Sequence, residues 1–128
     1  MNTEEVAGQH QSIVVVEDDT GMSQAIERLL RAAGVQSVSF ASAEELLQAD
    51  AANTAACLVL DIHLPGLSGL ELARLLIGSG RAKRVIFITG QDEAPLRDEA
   101  QRLGCDYFRK PFEGKELLEA IRRAIKPD

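Results

Sequence analysis

Cys57-Leu58-Val59-Leu60-Asp61-Ile62-His63-Leu64-Pro65-Gly66 is the stretch that decides the fold. Its first four residues are continuously apolar, and an acid follows at once. An apolar run without alternation marks a strand buried on both faces, as in a parallel sheet covered by helices. Leu64-Pro65-Gly66 then turns the chain and fixes the loop after Asp61. Two more runs read the same way, Ile13-Val14-Val15-Val16 and Val85-Ile86-Phe87-Ile88. Residues 35–40 (VQSVSF) alternate in part and are more polar, which suits a sheet edge. Residues 105–108 (CDYF) are a fifth, short strand candidate.

Between these runs the apolar residues take helical spacing. Met22, Ile26, Leu29, Leu30 and Ala33 form one stripe. Leu72, Leu75 and Leu76 form a second, Leu96, Ala100 and Leu103 a third, and Leu118, Ile121 and Ile125 the last. Gly34, Gly78 and Gly104 follow these stretches, where a left-handed helix end is wanted. Ser42-Ala43-Glu44-Glu45 carries a capping-box pattern ahead of Leu46 and Leu47. Strand and helix alternate five times. The expected fold is α/β, a five-stranded parallel sheet with right-handed crossovers and helices on both faces.

At 128 residues the chain has room for one domain, and no linker or repeat divides it. The polar, acidic segment 1–11 reads as a loose tail, residues 12–126 as the domain. No output domain follows Lys126-Pro127-Asp128 within this chain. Lys and Arg number 14 against 20 Asp and Glu, a net charge of -6, so the chain as a whole repels nucleic acid and anionic membrane. No apolar run approaches the ~20 residues of a membrane span. Cys57 and Cys105 are too few for a disulfide framework or a zinc site and read as reduced thiols of a cytosolic protein.

Ligands of such sheets bind beyond the carboxyl ends of the strands. There the sequence places Glu17-Asp18-Asp19 after strand 1, Asp61 after strand 3, Thr89-Gly90 after strand 4 and Lys110-Pro111 after strand 5. In the strand order 2-1-3-4-5, Asp61 is central, with the acids on one side and Thr89 on the other. Lys110 comes from two strands away on a long side chain. Carboxylates this close repel one another unless a cation intervenes. An all-oxygen set without His or Cys at ligand spacing favours Mg²⁺ over zinc. Carboxylate, hydroxyl and ammonium around such an ion fit phosphoryl transfer, with Asp61 as the nucleophile. Thr89 then donates to a phosphoryl oxygen, and Gly90 leaves room.

These residues resemble the receiver domain of two-component response regulators, the CheY-like family with a flavodoxin-like sheet. The carrying segments are Val15-Val16-Glu17-Asp18-Asp19, residues 58–69 around Asp61, Ile88-Thr89-Gly90 and Lys110-Pro111-Phe112. The local wording is most similar to receivers attached to LuxR-type DNA-binding domains, such as the nitrogen-fixation regulators. The resemblance implies Asp61 as phosphoacceptor, and Glu17 and Asp18 as the acidic pair holding Mg²⁺. It also implies a backbone carbonyl at His63 on the metal, Thr89 as switch hydroxyl, Lys110 as the lysine of the motif, and Tyr107 as switch aromatic. The acidic pair can also be read as Asp18 and Asp19, but the spacing to Gly34 fits the family better with Glu17 and Asp18. Glu17 stands where either acid is accepted.

The implied partner is a sensor histidine kinase or a histidine phosphotransfer protein. The implied catalysis is confined to the domain's own phosphorylation and dephosphorylation. Phosphorylation would draw Thr89 towards Asp61 and move Tyr107 into a more buried rotamer. The face spanning residues 93–126, with Arg97, Asp98, Arg102, Asp106 and Arg122, would then pair with a partner or a second copy. The Lys110-Pro111 bond is expected cis, a state that costs little before proline.

Blander readings stand beside these. Asp19 by itself is a helix N-cap, and the His63 side chain a solvent-facing loop residue. Gly78-Ser79-Gly80 ends a helix rather than cradling a phosphate. Arg122, Arg123 and Lys126 suit a solvated last turn. A haloacid-dehalogenase-type phosphatase would want a second acid where His63 stands. A flavodoxin-like carrier would not put three acids against its FMN phosphate. A docking module that is never phosphorylated would not need the full set of side chains.

Overall fold

The computed structural model describes residues 12–82 and 84–125. The tail expected over residues 1–11, and the domain's end at residue 126, lie outside them. Five strands, β1 (Ile13–Val16), β2 (Ser37–Phe40), β3 (Cys57–Asp61), β4 (Val85–Thr89) and β5 (Asp106–Arg109), form one parallel sheet in the order β2-β1-β3-β4-β5. Five helices alternate with them: α1 (Thr20–Ala32), α2 (Ala43–Ala49), α3 (Gly69–Gly78), α4 (Ala94–Arg102) and α5 (Gly114–Ile125). A short 3-10 turn, Ala52–Thr54, precedes β3. The expected architecture and strand order are both present.

β1, β3 and β4 are buried at every position, as their unbroken apolar runs require. Successive side chains go to opposite faces. Ile13, Val15, Cys57, Val59, Ile86 and Ile88 pack with α1 and α5 through Ile26, Leu30, Leu117 and Ile121. Val14, Val16, Leu58, Leu60, Val85 and Phe87 pack with α2, α3 and α4 through Leu46, Leu72, Leu76 and Ala100. Each fully buried aliphatic side chain contributes about 1.5–3 kcal/mol, so these two layers fix the strand ends that carry the polar residues.

Two strands begin later than the apolar pattern predicts, for one reason. Val35 donates its N–H to the Leu30 carbonyl and Cys105 donates to that of Ala100, both at 2.9 Å. These bonds close the ends of α1 and α4, so both residues belong to helix termini and the ladder starts downstream. Gly34 and Gly104 supply the left-handed residue in these closures, at φ 76° and 75°. At the end of α3 that role falls to Gly80, φ 75°, and not to Gly78, which is the last helical residue.

Two other expectations change in detail. Leu75 is 46% exposed because the buried stripe of α3 runs through Gly69, Leu72, Ala73 and Leu76, which turns Leu75 outward. The pattern at Ser42 closes only half as a box. Ser42 Oγ accepts from the Glu45 N–H, but Glu45 reaches back to the Ala41 N–H. A full capping box forms at Ser68 and Glu71, at the start of α3. The cysteines are both free. Burial pushes the Cys57 thiol up to about 12 and the half-buried Cys105 thiol up to about 11. None of the described helices is long and apolar enough to cross a membrane.

Candidate functional site

The sheet register sets the site. Val16 pairs with Leu60, so Glu17 and Asp61 come level at the carboxyl ends of β1 and β3. Ile88 lies opposite Asp61 on the other side, and Thr89 follows it as the last residue of β4. The Glu17 N–H still donates to Phe40 O (3.0 Å), and the Lys110 N–H donates to Thr89 O (2.7 Å). Both polar residues are thus held by ladder bonds one step past their strands. The Lys110-Pro111 peptide bond is cis, as expected.

Glu17, Asp18 and Asp61 bring carboxylate oxygens within 4.8 Å of one another. Glu17 and Asp61 are buried at 2% and 4% exposure, and Asp18 is exposed. Lys110 Nζ donates to Glu17 Oε1 at 2.8 Å and to Asp61 Oδ2 at 3.4 Å. Asp61 Oδ1 accepts the backbone N–H of His63 at 3.1 Å, while the His63 residue is exposed. Both oxygens of Asp61 are therefore held, one by a neutral donor and one by a cation.

Burial pushes the Glu17 carboxyl up to about 7, helped by the Asp61 charge and opposed by its bonds from Lys110 and from the Asp19 N–H. Burial alone would lower the Lys110 pKa. The hydrogen bond to Glu17 and the charge of Asp61 outweigh it, so the ammonium is held above its ordinary value. Three acids against one ammonium leave the cluster short of positive charge. The donors are all oxygen and include two buried carboxylates, a set that suits a hard divalent cation. On this structure's own donor chemistry, Mg²⁺ fits.

Asp19 stands outside this set. Its Oδ1 accepts from the N–H groups of Gly21 and Met22 at 2.9 and 3.3 Å, which makes it the N-cap of α1. The acidic pair facing Asp61 is therefore Glu17 and Asp18.

Thr89 is fully buried at the end of β4, and its hydroxyl engages Gln91. It donates to the Gln91 carbonyl and accepts from the Gln91 N–H, both at 3.0 Å. Tyr107 is half-buried in β5 and donates its hydroxyl to Asp92 Oδ1 at 3.0 Å.

Three residues shape the site without having been singled out from sequence. Gly69 lies so close to Asp61 that a β-carbon there would collide with the Asp61 carbonyl. Glu44, in the first turn of α2, accepts the Leu67 N–H at 2.9 Å and ties down the loop after Asp61. Asp92 receives Tyr107. Gly69 sits inside the quoted motif, so its signal was present. Glu44 and Asp92 act across long sequence separations, where no local pattern speaks.

Comparison with known proteins bears on the family and the fold. The family described as "Response regulator receiver domain" matches residues 13–122. Nodulation protein W of Bradyrhizobium diazoefficiens is 43% identical over 121 residues, covering 91% of this chain and 52% of that protein. The transcriptional regulatory protein FixJ of Azorhizobium caulinodans is 34% identical, covering 87% of this chain and 53% of FixJ. The chain thus spans about half the length of these relatives. Among solved structures, the FixJ-N crystal structure superimposes with a TM-score of 0.78 at 32% identity, covering 90% of this chain and 93% of the other. The response regulator StyR does so at 0.81 and 33%, covering 90% and 59%.

Proposed function

The chain belongs to the response regulator receiver domain family, and from that premise we propose that it takes a phosphoryl group onto Asp61 from the phosphohistidine of a sensor kinase or histidine phosphotransfer protein. The observation that carries this reading is the position of Lys110 Nζ, 2.8 Å from Glu17 and 3.4 Å from Asp61, beside three converging carboxylates. An ammonium held there meets the negative charge of an incoming phosphoryl group where it develops.

A carboxylate oxygen of Asp61 forms the new bond to phosphorus. The bond from phosphorus to the donor imidazole breaks, and the imidazole nitrogen keeps the electron pair and takes a proton. The His63 N–H fixes the carboxylate's orientation, and Lys110 neutralises the growing charge. Glu17, Asp18 and Asp61, with the His63 carbonyl, would hold Mg²⁺, which supplies charge neutralisation on the transferring oxygens when bound. The Thr89 hydroxyl then donates to a phosphoryl oxygen, and the change passes to Tyr107. In this reading the domain turns over no outside substrate and catalyses only its own phosphorylation and hydrolysis. Two unpaired thiols accord with a reducing cytoplasm. The face spanning residues 93–125 is the one that changes shape and would meet a second copy.

Acetyl phosphate with Mg²⁺, followed by intact mass and peptide mapping, tests the reading. One phosphoryl group on Asp61, abolished by chelating the metal, is the expected result. Label on another residue with Asp61 unmodified would overturn it.

A further inference from the structure

Beyond the acid pocket, three side chains reach one carboxylate, that of Asp92, in the exposed loop between β4 and α4. Its Oδ1 accepts the Tyr107 hydroxyl at 3.0 Å, from β5. The same carboxylate lies 3.5 Å from Arg97 Nε on α4 and 3.8 Å from Arg109 Nη1 at the end of β5. Immediately before it, Gln91 is clasped through both its N–H and its carbonyl by the buried Thr89 hydroxyl, each at 3.0 Å. A continuous set of bonds thus runs from Thr89 through Gln91 and Asp92 to Tyr107.

We propose that Asp92 is a positioning residue of the switch: it holds Tyr107 in the orientation seen here until the Thr89 hydroxyl leaves Gln91 for the phosphoryl group on Asp61. The inference rests on the phosphoacceptor reading and adds the link between its two ends. Proton supply sets the order of events. A threonine hydroxyl has a single proton and donates one hydrogen bond. While that proton lies on the Gln91 carbonyl, it is not available to a phosphoryl oxygen. The anionic acceptor makes the stronger bond and takes it. Gln91 then loses its clasp, in a loop that packs no buried side chain, and Asp92 moves with it. Tyr107 loses its acceptor.

The two arginines do not carry the coupling. Their side chains are 49% and 67% exposed and their contacts long, so they contribute little. The tyrosine bond is short, runs to a charged acceptor, and has one partner anchored by a half-buried ring.

Tyr107 is the single tyrosine of the chain, so its ring signals need no assignment. The test uses beryllofluoride with Mg²⁺ as the phosphoryl mimic. If the tether favours the unswitched state, removing it raises the competent fraction and tightens apparent binding by the same factor. Asp92→Ala and Tyr107→Phe should each lower half-saturation by about 3- to 10-fold, the range for one such hydrogen bond. The double variant should bind no tighter than either alone. Without the mimic, the Tyr107 ring resonances of Asp92→Ala should already shift towards their saturated wild-type position. Arg97→Ala and Arg109→Ala should change neither readout more than about twofold. Asp92→Asn, which keeps an acceptor oxygen and the shape, should fall between wild type and Asp92→Ala. Unchanged or weaker binding in Asp92→Ala, or additivity in the double variant, would overturn the coupling. Wild-type protein that acetyl phosphate fails to label on Asp61 would instead overturn the phosphoacceptor reading itself.

Discussion

Glu17 and Asp61 stand at the ends of β1 and β3, strands buried at every residue. Tyr107 stands in β5, whose end residues are exposed and whose middle is only half-buried. The acid pocket joins Glu17 and Asp61, whose side chains are almost closed to water, through Lys110 spanning from β5 to β1. The edge beyond Thr89 is joined by a tyrosine hydroxyl and by surface ion pairs around Asp92, Arg97 and Arg109. One half holds atoms where charge must develop, and that requires strands too well packed to shift. The other half holds its parts by contacts weak enough for a single phosphoryl group to exchange them.

The sharpest way to break the pocket half is Lys110→Ala. Removing a preorganised cation aimed at a transferring group costs about 100- to 1,000-fold in rate. Acetyl phosphate labelling of Asp61 should slow by that factor while far-ultraviolet circular dichroism keeps its wild-type shape. A loss of only a fewfold would mean that the ammonium serves the fold and not the transfer.

The next effect is steric and asks how rigid the pocket is. A β-carbon at Gly69 would overlap the Asp61 carbonyl, which is backbone and cannot swing away. Gly69→Ala should therefore destabilise by roughly 1–3 kcal/mol. Gly78→Ala, in the last turn of the same helix with open space around it, should stabilise by about 0.5–1 kcal/mol. Denaturant melts of the two variants give the comparison directly. Equal and small changes would show that the start of α3 moves freely beneath Asp61.

The two halves were also unequally legible in the sequence. Unbroken apolar runs announced β1, β3 and β4, and the acids and Thr89 at their ends followed from strand order, as did Lys110 after β5. These signals are local, and the acids, Thr89 and Lys110 each carried one. At the edge the signals thin out. The apolar pattern put residues 35 and 105 into strands because hydrophobicity does not distinguish a strand start from a helix closure. It put Leu75 into the core because leucine spacing alone does not fix which side of a helix faces inward. Asp92 carried no local signal, since its partner Tyr107 lies on the neighbouring strand, 15 residues further along the chain. Asp19 was ambiguous with Glu17 until the turn of α1 consumed its carboxylate as a cap.

The smallest expected effect probes how α4 is seated on the edge. Its single buried residue is Ala100, so polar contacts carry much of its registration against α3. Glu99 is the joint: Arg102 on its own helix lies 2.8 Å away, and Arg74 on α3 lies 3.2 Å away. The hydrogen bond from Arg102, then that from Arg74, holds the Glu99 carboxyl below its ordinary value of 4.5. A carboxyl lowered on folding stabilises the folded state above its unfolded pKa and loses that contribution as pH falls through the folded one. Protection of the α4 amides from hydrogen exchange, corrected for intrinsic rates, should thus be level down to about pH 5 and fall below 4.5. Glu99→Gln should remove the fall. Because both arginines are solvent-exposed, about 1 M salt should mute the difference, its screening length being near 3 Å. Protection that drops at low pH equally in wild type and Glu99→Gln would show that α4 is held by its apolar side alone, and that the edge is less electrostatic than its contacts imply.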